Sequence, residues 1–126
     1  MTQTDKDLLV KDLCSRIPYG VKFVIDNDQN NVRTLTGIDE AIPYEDWQMC
    51  AFARGISAIP IEDIKPYLFP MSSMTEEQKM EEYKLMNSNF YTSTVELPDF
   101  YNKNHLDYRG LIPKGLANDA TGLNIY

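Results

Sequence analysis

Between residues 21 and 59 the chain breaks into four short apolar runs separated by polar or glycine-bearing joints, and that spacing restricts its fold more than any other feature. Val21, Phe23 and Ile25 alternate with Lys22, Val24 and Asp26, the period of a strand with one face turned to a core. Asn27-Asp28-Gln29-Asn30-Asn31 supplies side chains that satisfy turn backbone locally, and Val32 to Ile38 reads as the return strand of a hairpin. Trp47–Ala53 and Ile56–Ile59, joined by Arg54-Gly55, add two more runs. Four strands in about 40 residues predict a small, strongly bent antiparallel sheet of four or five strands. Its expected form is an open SH3-like barrel, with a fully closed barrel as the alternative.

The helical pattern appears on either side of that sheet. Leu9, Leu13 and Ile17 recur every fourth residue, flanked by Leu8, Val10 and Cys14, so residues 5–17 read as a helix capped by Thr4 and ended by Pro18-Tyr19-Gly20. Ile61 to Pro70 is a proline-bounded connector expected to pack as a short 3₁₀ turn. Thr75-Glu76-Glu77-Gln78 is a capping box opening a helix over about 76–87, where Met80, Tyr83 and Met86 or Asn87 share a face and Glu76, Glu77, Glu81 and Lys84 face water. Phe90 to Val95 is strand-prone by composition. Leu97-Pro98-Asp99 then enters a short last helix carrying Phe100, Tyr101 and Asn104, before Gly110 and a tail, Pro113 to Tyr126, that frays or packs back. The whole reads as one α+β domain, residues 1–126, without repeats or a linker.

Charge narrows the function classes. The formal charge is −7 and is spread evenly, so no basic stripe exists to displace counterions from a phosphate backbone, and direct nucleic-acid binding is not expected. Basic partners remain compatible. Cys14 and Cys50 both sit among apolar neighbours and read as buried, reduced thiols. The first residues lack an apolar leader and no run is long enough to cross a membrane as a helix, so the expected setting is the cytoplasm, away from membranes.

Most of the chemistry-bearing side chains fall in one block, Asp99 to Leu111, which holds the single histidine. As a site, His105 would act as base or ligand, with Asp107 orienting it and Arg109 binding an anion. As a structural corner, Leu106 and Tyr108 would anchor the segment while His105, Asp107 and Arg109 satisfy backbone groups at a helix end. A lone histidine lacks the further members that catalysis demands, which favours the corner.

Other chemistries have less support. A metal site would need Cys14, Cys50, His105 and a carboxylate, yet none stand at zinc-ligand spacing, so neither a metal nor another cofactor is expected. A cysteine nucleophile is disfavoured by the apolar settings of both thiols. There is no GxSxG elbow or Walker loop, and the glycines stand singly at 20, 37, 55, 110, 115 and 122. Asp39, Glu40, Glu45 and Asp46 lack the ligand register of an EF-hand, so they read as a solvated connection. Beside them Tyr44 and Trp47 form an aromatic pair of the kind that anchors interfaces, although a tryptophan is more often core.

Three phrases carry a resemblance: residues 12–22 (DLCSRIPYGVK), 64–77 (IKPYLFPMSSMTEE) and 104–117 (NHLDYRGLIPKGLA). They resemble small proteins of prophages and mobile elements of gut anaerobic bacteria, a family without an established activity or catalytic residues. The resemblance implies an accessory role inside a bacterial cell. The leading expectation is therefore a non-enzymatic protein that binds a host or phage protein through Tyr44, Trp47, His105, Asp107, Tyr108 and Arg109. The alternatives are an acidic inhibitor of nucleic-acid-binding machinery, with the carboxylates of 39–46 and 76–82 aligned like phosphates, and a small-ligand binder or enzyme centred on the His105 block. Self-association through an edge strand is a further expectation.

Overall fold

The computed structural model describes residues 1–41 and 48–126, so Tyr44, Glu45, Asp46 and Trp47 lie outside the described residues. The fold is α+β. Helix α1, Gln3–Arg16, begins two residues earlier than its periodicity suggested: Thr2, not Thr4, is the cap, its hydroxyl accepting from Asp5 N at 3.1 Å while the Asp5 carboxylate accepts from Thr2 N. A 3₁₀ turn, Ile17–Tyr19, ends it at Gly20, whose φ of 70° is left-handed and suits a residue without Cβ.

The sheet comprises β1 (Lys22–Ile25), β2 (Arg33–Ala41), β3 (Gln48–Ala53), β4 (Ile56–Pro60), β5 (Ile64–Leu68) and β6 (Asn118–Asp119), in the spatial order β4-β3-β2-β1-β5-β6. β1 to β4 form an antiparallel meander, and β5 returns antiparallel to the free side of β1. β6 then pairs with β5 in parallel. The expected antiparallel four- or five-stranded sheet is thus corrected to six strands, mixed and open. The connector expected to pack as a 3₁₀ turn over Ile61 to Pro70 is corrected too: only Ile61–Asp63 is 3₁₀ and Ile64–Leu68 is β5, while the two-residue β6 has no periodicity to read.

No barrel closes. β4 ends in Pro60, which has no N–H to donate, and Ala58 holds a left-handed φ of 59° beside a register shift against β3. Both features blunt the edge that closure, or strand-to-strand self-association, would use. The Ala58 conformation costs roughly 1–2 kcal/mol for a residue with a Cβ. Ala58→Gly is therefore expected to raise stability by about 0.5–1 kcal/mol after the entropy of the unfolded glycine is subtracted, read as a higher urea midpoint at unchanged slope.

Burial explains the middle of the sheet. Phe23 and Val24 are consecutive in β1 and both fully buried, so β1 is covered on both faces. Leu9 and Leu13 of α1 pack on one side with Phe23, Leu35, Ile64 and Leu111. On the other, Val24 and Tyr67 meet Ala120, with Phe69 and Ile125 beside them. The segment after Pro113 does pack back, and it forms the second cover.

Helix α2, Glu76–Met86, carries the expected capping box of Thr75 and Gln78. The strand expected at 90–95 is corrected to helix. Residues 90–103 run as one helical stretch, with a π turn at Thr92–Glu96 leading into α3, Leu97–Lys103. Local hydrogen bonds override the β-prone composition: Asn89 Oδ1 accepts from Thr92 N at 2.8 Å, and the Thr94 hydroxyl donates to the Phe90 carbonyl at 2.6 Å. Pro98 accounts for the widened turn, since its ring would collide with the carbonyl four residues back in a regular α-helix.

Candidate functional site

The His105 block folds as a corner that locks α1, β5 and α3 together. Asp12 and Arg16 stand one helical turn apart on α1, and both are 0% exposed. Arg16 grips the Asp12 carboxylate through Nε at 2.8 Å and Nη2 at 3.1 Å, and Nη2 also donates to the Leu106 carbonyl at 2.7 Å. Arg109 adds a third bond, Nη1 to Asp12 Oδ1 at 2.9 Å, and Nη1 also donates to the Ser15 hydroxyl at 3.1 Å. One carboxylate thus bridges two guanidinium groups far apart in sequence. The Tyr108 ring lies beneath Arg109, whose guanidinium carbon is 4.6 Å from the ring centroid, and stacks on Tyr101 at 5.0 Å.

Asp107 and the His105 backbone are engaged as well, while His105 Nδ1 and the Tyr108 hydroxyl are buried with no hydrogen-bond partner among the described residues. The Asp107 carboxylate accepts from Leu111 N at 2.7 Å and Ile112 N at 2.8 Å, holding the next turn and leaving His105 unoriented by it. His105 adopts a φ of 57°, which lets its carbonyl accept from Phe69 N while Asp107 N donates to the Phe69 carbonyl, each at 2.8 Å. Its ring stacks on Tyr126 at 3.7 Å. The Tyr126 hydroxyl donates to the Tyr67 carbonyl at 2.7 Å and accepts from Lys22 N at 2.8 Å, and burial pushes its pKa up to about 12.

The residues proposed from sequence are therefore brought together in part. His105, Asp107, Tyr108 and Arg109 share the corner, but Asp107 and Arg109 are directed to backbone and to Asp12. A cavity of about 200 Å³ lies beside the corner, lined by Phe69, Ser73, Thr75, Gln78, Asn104 and Leu106 rather than by those four residues. It is smaller than the roughly 300–1,000 Å³ typical of ligand pockets. Among the described residues, no three His, Cys, Asp or Glu side chains could hold a metal. The two cysteines separate: Cys50 is buried in β3, whereas Cys14 is exposed on α1 rather than buried.

Burial first, and then the positive charges of Arg16 and Lys22, lower the His105 pKa to about 4 from an ordinary 6.5. The unfolded chain therefore binds a proton that the folded chain refuses between those values. The stability this contributes is complete above pH 6.5 and is lost as pH falls toward 4. Removing the imidazole by His105→Asn, which tolerates the left-handed backbone, should flatten the fall in urea midpoint between pH 6.5 and 4 relative to the parent chain.

A second region escaped prediction. α2 has no buried residue. Its inward side holds two polar contacts beside the half-buried Leu85: Glu82 accepts from the Tyr101 hydroxyl at 2.8 Å, and Gln78 donates to Asn104 at 3.4 Å. Burial and then the Glu82 bond push the Tyr101 phenol well up. The outward side carries Met80, Tyr83 and Met86, exposed by 62%, 69% and 55%, and Phe90, Tyr91 and Val95 follow at 83%, 62% and 42%. The sequence correctly grouped Met80, Tyr83 and Met86 on one face, but that face points to water. The helix therefore has no clean apolar stripe toward the core: Met80, Tyr83 and Met86 stand in water among Glu76, Glu77, Lys79, Glu81 and Lys84.

No protein-family model, curated protein or solved structure matches the chain. Among the described residues no helix is long and apolar enough to cross a membrane.

Proposed function

We propose that the chain is a non-enzymatic protein-binding module that engages another protein through the outward face of α2 and the helical segment that follows it. The set of large apolar side chains exposed along residues 80–95 is the observation that carries this reading. Six large apolar side chains stand exposed within residues 80–95, while at the corner Arg109 is held by Asp12 and Ser15, and Asp107 by backbone N–H groups. An exposed cluster of aromatic and methionine side chains is the composition of a protein interface. The corner then serves to hold the α2–α3 unit against the sheet. An accessory role for a phage or mobile element, inside a bacterial cell, is the setting that the resemblance of residues 12–22, 64–77 and 104–117 supports.

Acidic mimicry has less in its favour. Lys79 and Lys84 interrupt the carboxylates of α2, and Lys79 pairs with Glu76 at 3.3 Å. Most of the acidic stretch 39–46 lies outside the described residues.

The test is photocrosslinking in the cells that make the protein, with benzoylphenylalanine placed in turn at Tyr83, Phe90 and Leu123. Leu123 is also exposed but lies in the packed-back tail. The expected result is a discrete protein adduct from positions 83 and 90 and none from 123. Equal labelling from all three positions, or none from 83 and 90, contradicts the docking face.

A further inference from the structure

Resting on that reading, we infer that the α2–α3 face takes a basic amphipathic helix of its partner protein. The shape of the unit comes first. Gln78 pairs with Asn104 and Glu82 with Tyr101, so α2 and the stretch 90–103 run antiparallel, joined by the short turn 87–89. A helical hairpin that exposes large apolar side chains among charged ones leaves them without a packing layer, and a third helix supplies one with matching rows of side chains. Met80, Tyr83 and Met86 stand three apart, the spacing of a ridge that another helix straddles. The two methionines are unbranched and adapt to an incoming surface at low cost.

Charge selects among occupants. Residues 75–99 carry six carboxylates (Glu76, Glu77, Glu81, Glu82, Glu96, Asp99) against Lys79 and Lys84, within a chain of net charge −7. A second copy of the chain, an acidic peptide or an anionic membrane would set like charge against like, whereas a cationic partner is attracted and steered. The sheet also favours a helix over a strand as the docking element. At the β4 edge, Pro60 and the left-handed Ala58 oppose strand addition.

The probe is a fluorescent peptide of roughly 18 residues, about five helical turns, with leucine and lysine arranged at helical period. Its anisotropy is followed on titration with the full chain. The comparison ligands are a scrambled peptide of the same composition, a leucine–glutamate version, and vesicles of phosphatidylglycerol and phosphatidylcholine. The variant is Tyr83→Ser with Phe90→Ser, which leaves charge unchanged, and the control is Leu123→Ser. The periodic basic peptide is expected to bind at least about tenfold more tightly than the scrambled one, and the double variant to lose about tenfold or more while the control loses nothing.

Equal binding of the scrambled peptide, or full binding to the double variant, would reduce the interaction to diffuse charge attraction and overturn the inference. So would leucine–glutamate binding of equal strength, preferential vesicle binding, or self-association that buries the same residues. Crosslinks from Tyr83 and Phe90 without a preference for the basic helix would remove this partner class and leave the docking face standing. Loss of both would remove the face itself.

Discussion

Asp12→Ala is expected to lower the unfolding free energy by about 3–5 kcal/mol, the cost of leaving buried charge unpaired. Asp12 is the single carboxylate against two guanidinium groups, and Arg16, with Asp12 gone, would keep only the Leu106 carbonyl as a hydrogen-bond acceptor. Its Nη1 already has no partner among the described residues. Domains of this size are stable by roughly 5–15 kcal/mol, so the loss takes a large share of the total and should lower the thermal midpoint by about 10–25 °C. Asp12→Asn keeps one of the two acceptor oxygens and loses the charge, and should fall between the parent chain and alanine. Urea unfolding measures all three. A shift below about 1 kcal/mol for Asp12→Ala would mean that the guanidinium groups find water or other acceptors, and that the corner is not what fastens α1 to the last third of the chain.

The second large effect concerns binding and leaves stability alone. Tyr83→Ser and Phe90→Ser remove exposed side chains, and surface changes of that kind move folding free energy by no more than about 0.5 kcal/mol. Aromatic anchors at the centre of an interface are each worth about 2 kcal/mol or more, so each variant should weaken partner binding by about 30-fold. Isothermal titration against the crosslinked partner, once purified, checks this. The two predictions are orthogonal: Asp12→Ala should unfold early yet bind normally while folded, and the Tyr83 and Phe90 variants should stay folded yet fail to bind.

How much of this was legible in the residues differs by element. The Thr75-to-Gln78 capping box identified the start of α2 because both reciprocal partners lie within one turn. The β1–β4 meander was readable because alternation and turn chemistry are also local. Phe90 to Val95 misled because β-propensity reflects fit to a sheet, and no neighbouring strand is there to receive it. β6 was too short to show a period, and its place depends on β5, about fifty residues earlier. At the corner, the spacing of Asp12 and Arg16 was visible as an ordinary i,i+4 pair, which on sequence alone belongs on a wet helix face. Its burial depends on Arg109 and Leu106, contacts that span 97 and 90 positions and leave no local trace. The outward face of α2 was grouped correctly and assigned to the wrong side, because a helical period shows which residues align but not which side meets the core.

Hydroxyl-radical footprinting of the purified chain, alone and in complex with its crosslink-identified partner, tests the docking face most directly. Met80, Tyr83, Met86 and Phe90 are expected to oxidise readily in the free chain while Tyr67 and Phe23 do not, and the first four are expected to become protected in the complex. Protection of those four residues in the free monomer, or unchanged oxidation in the complex, would contradict the docking face.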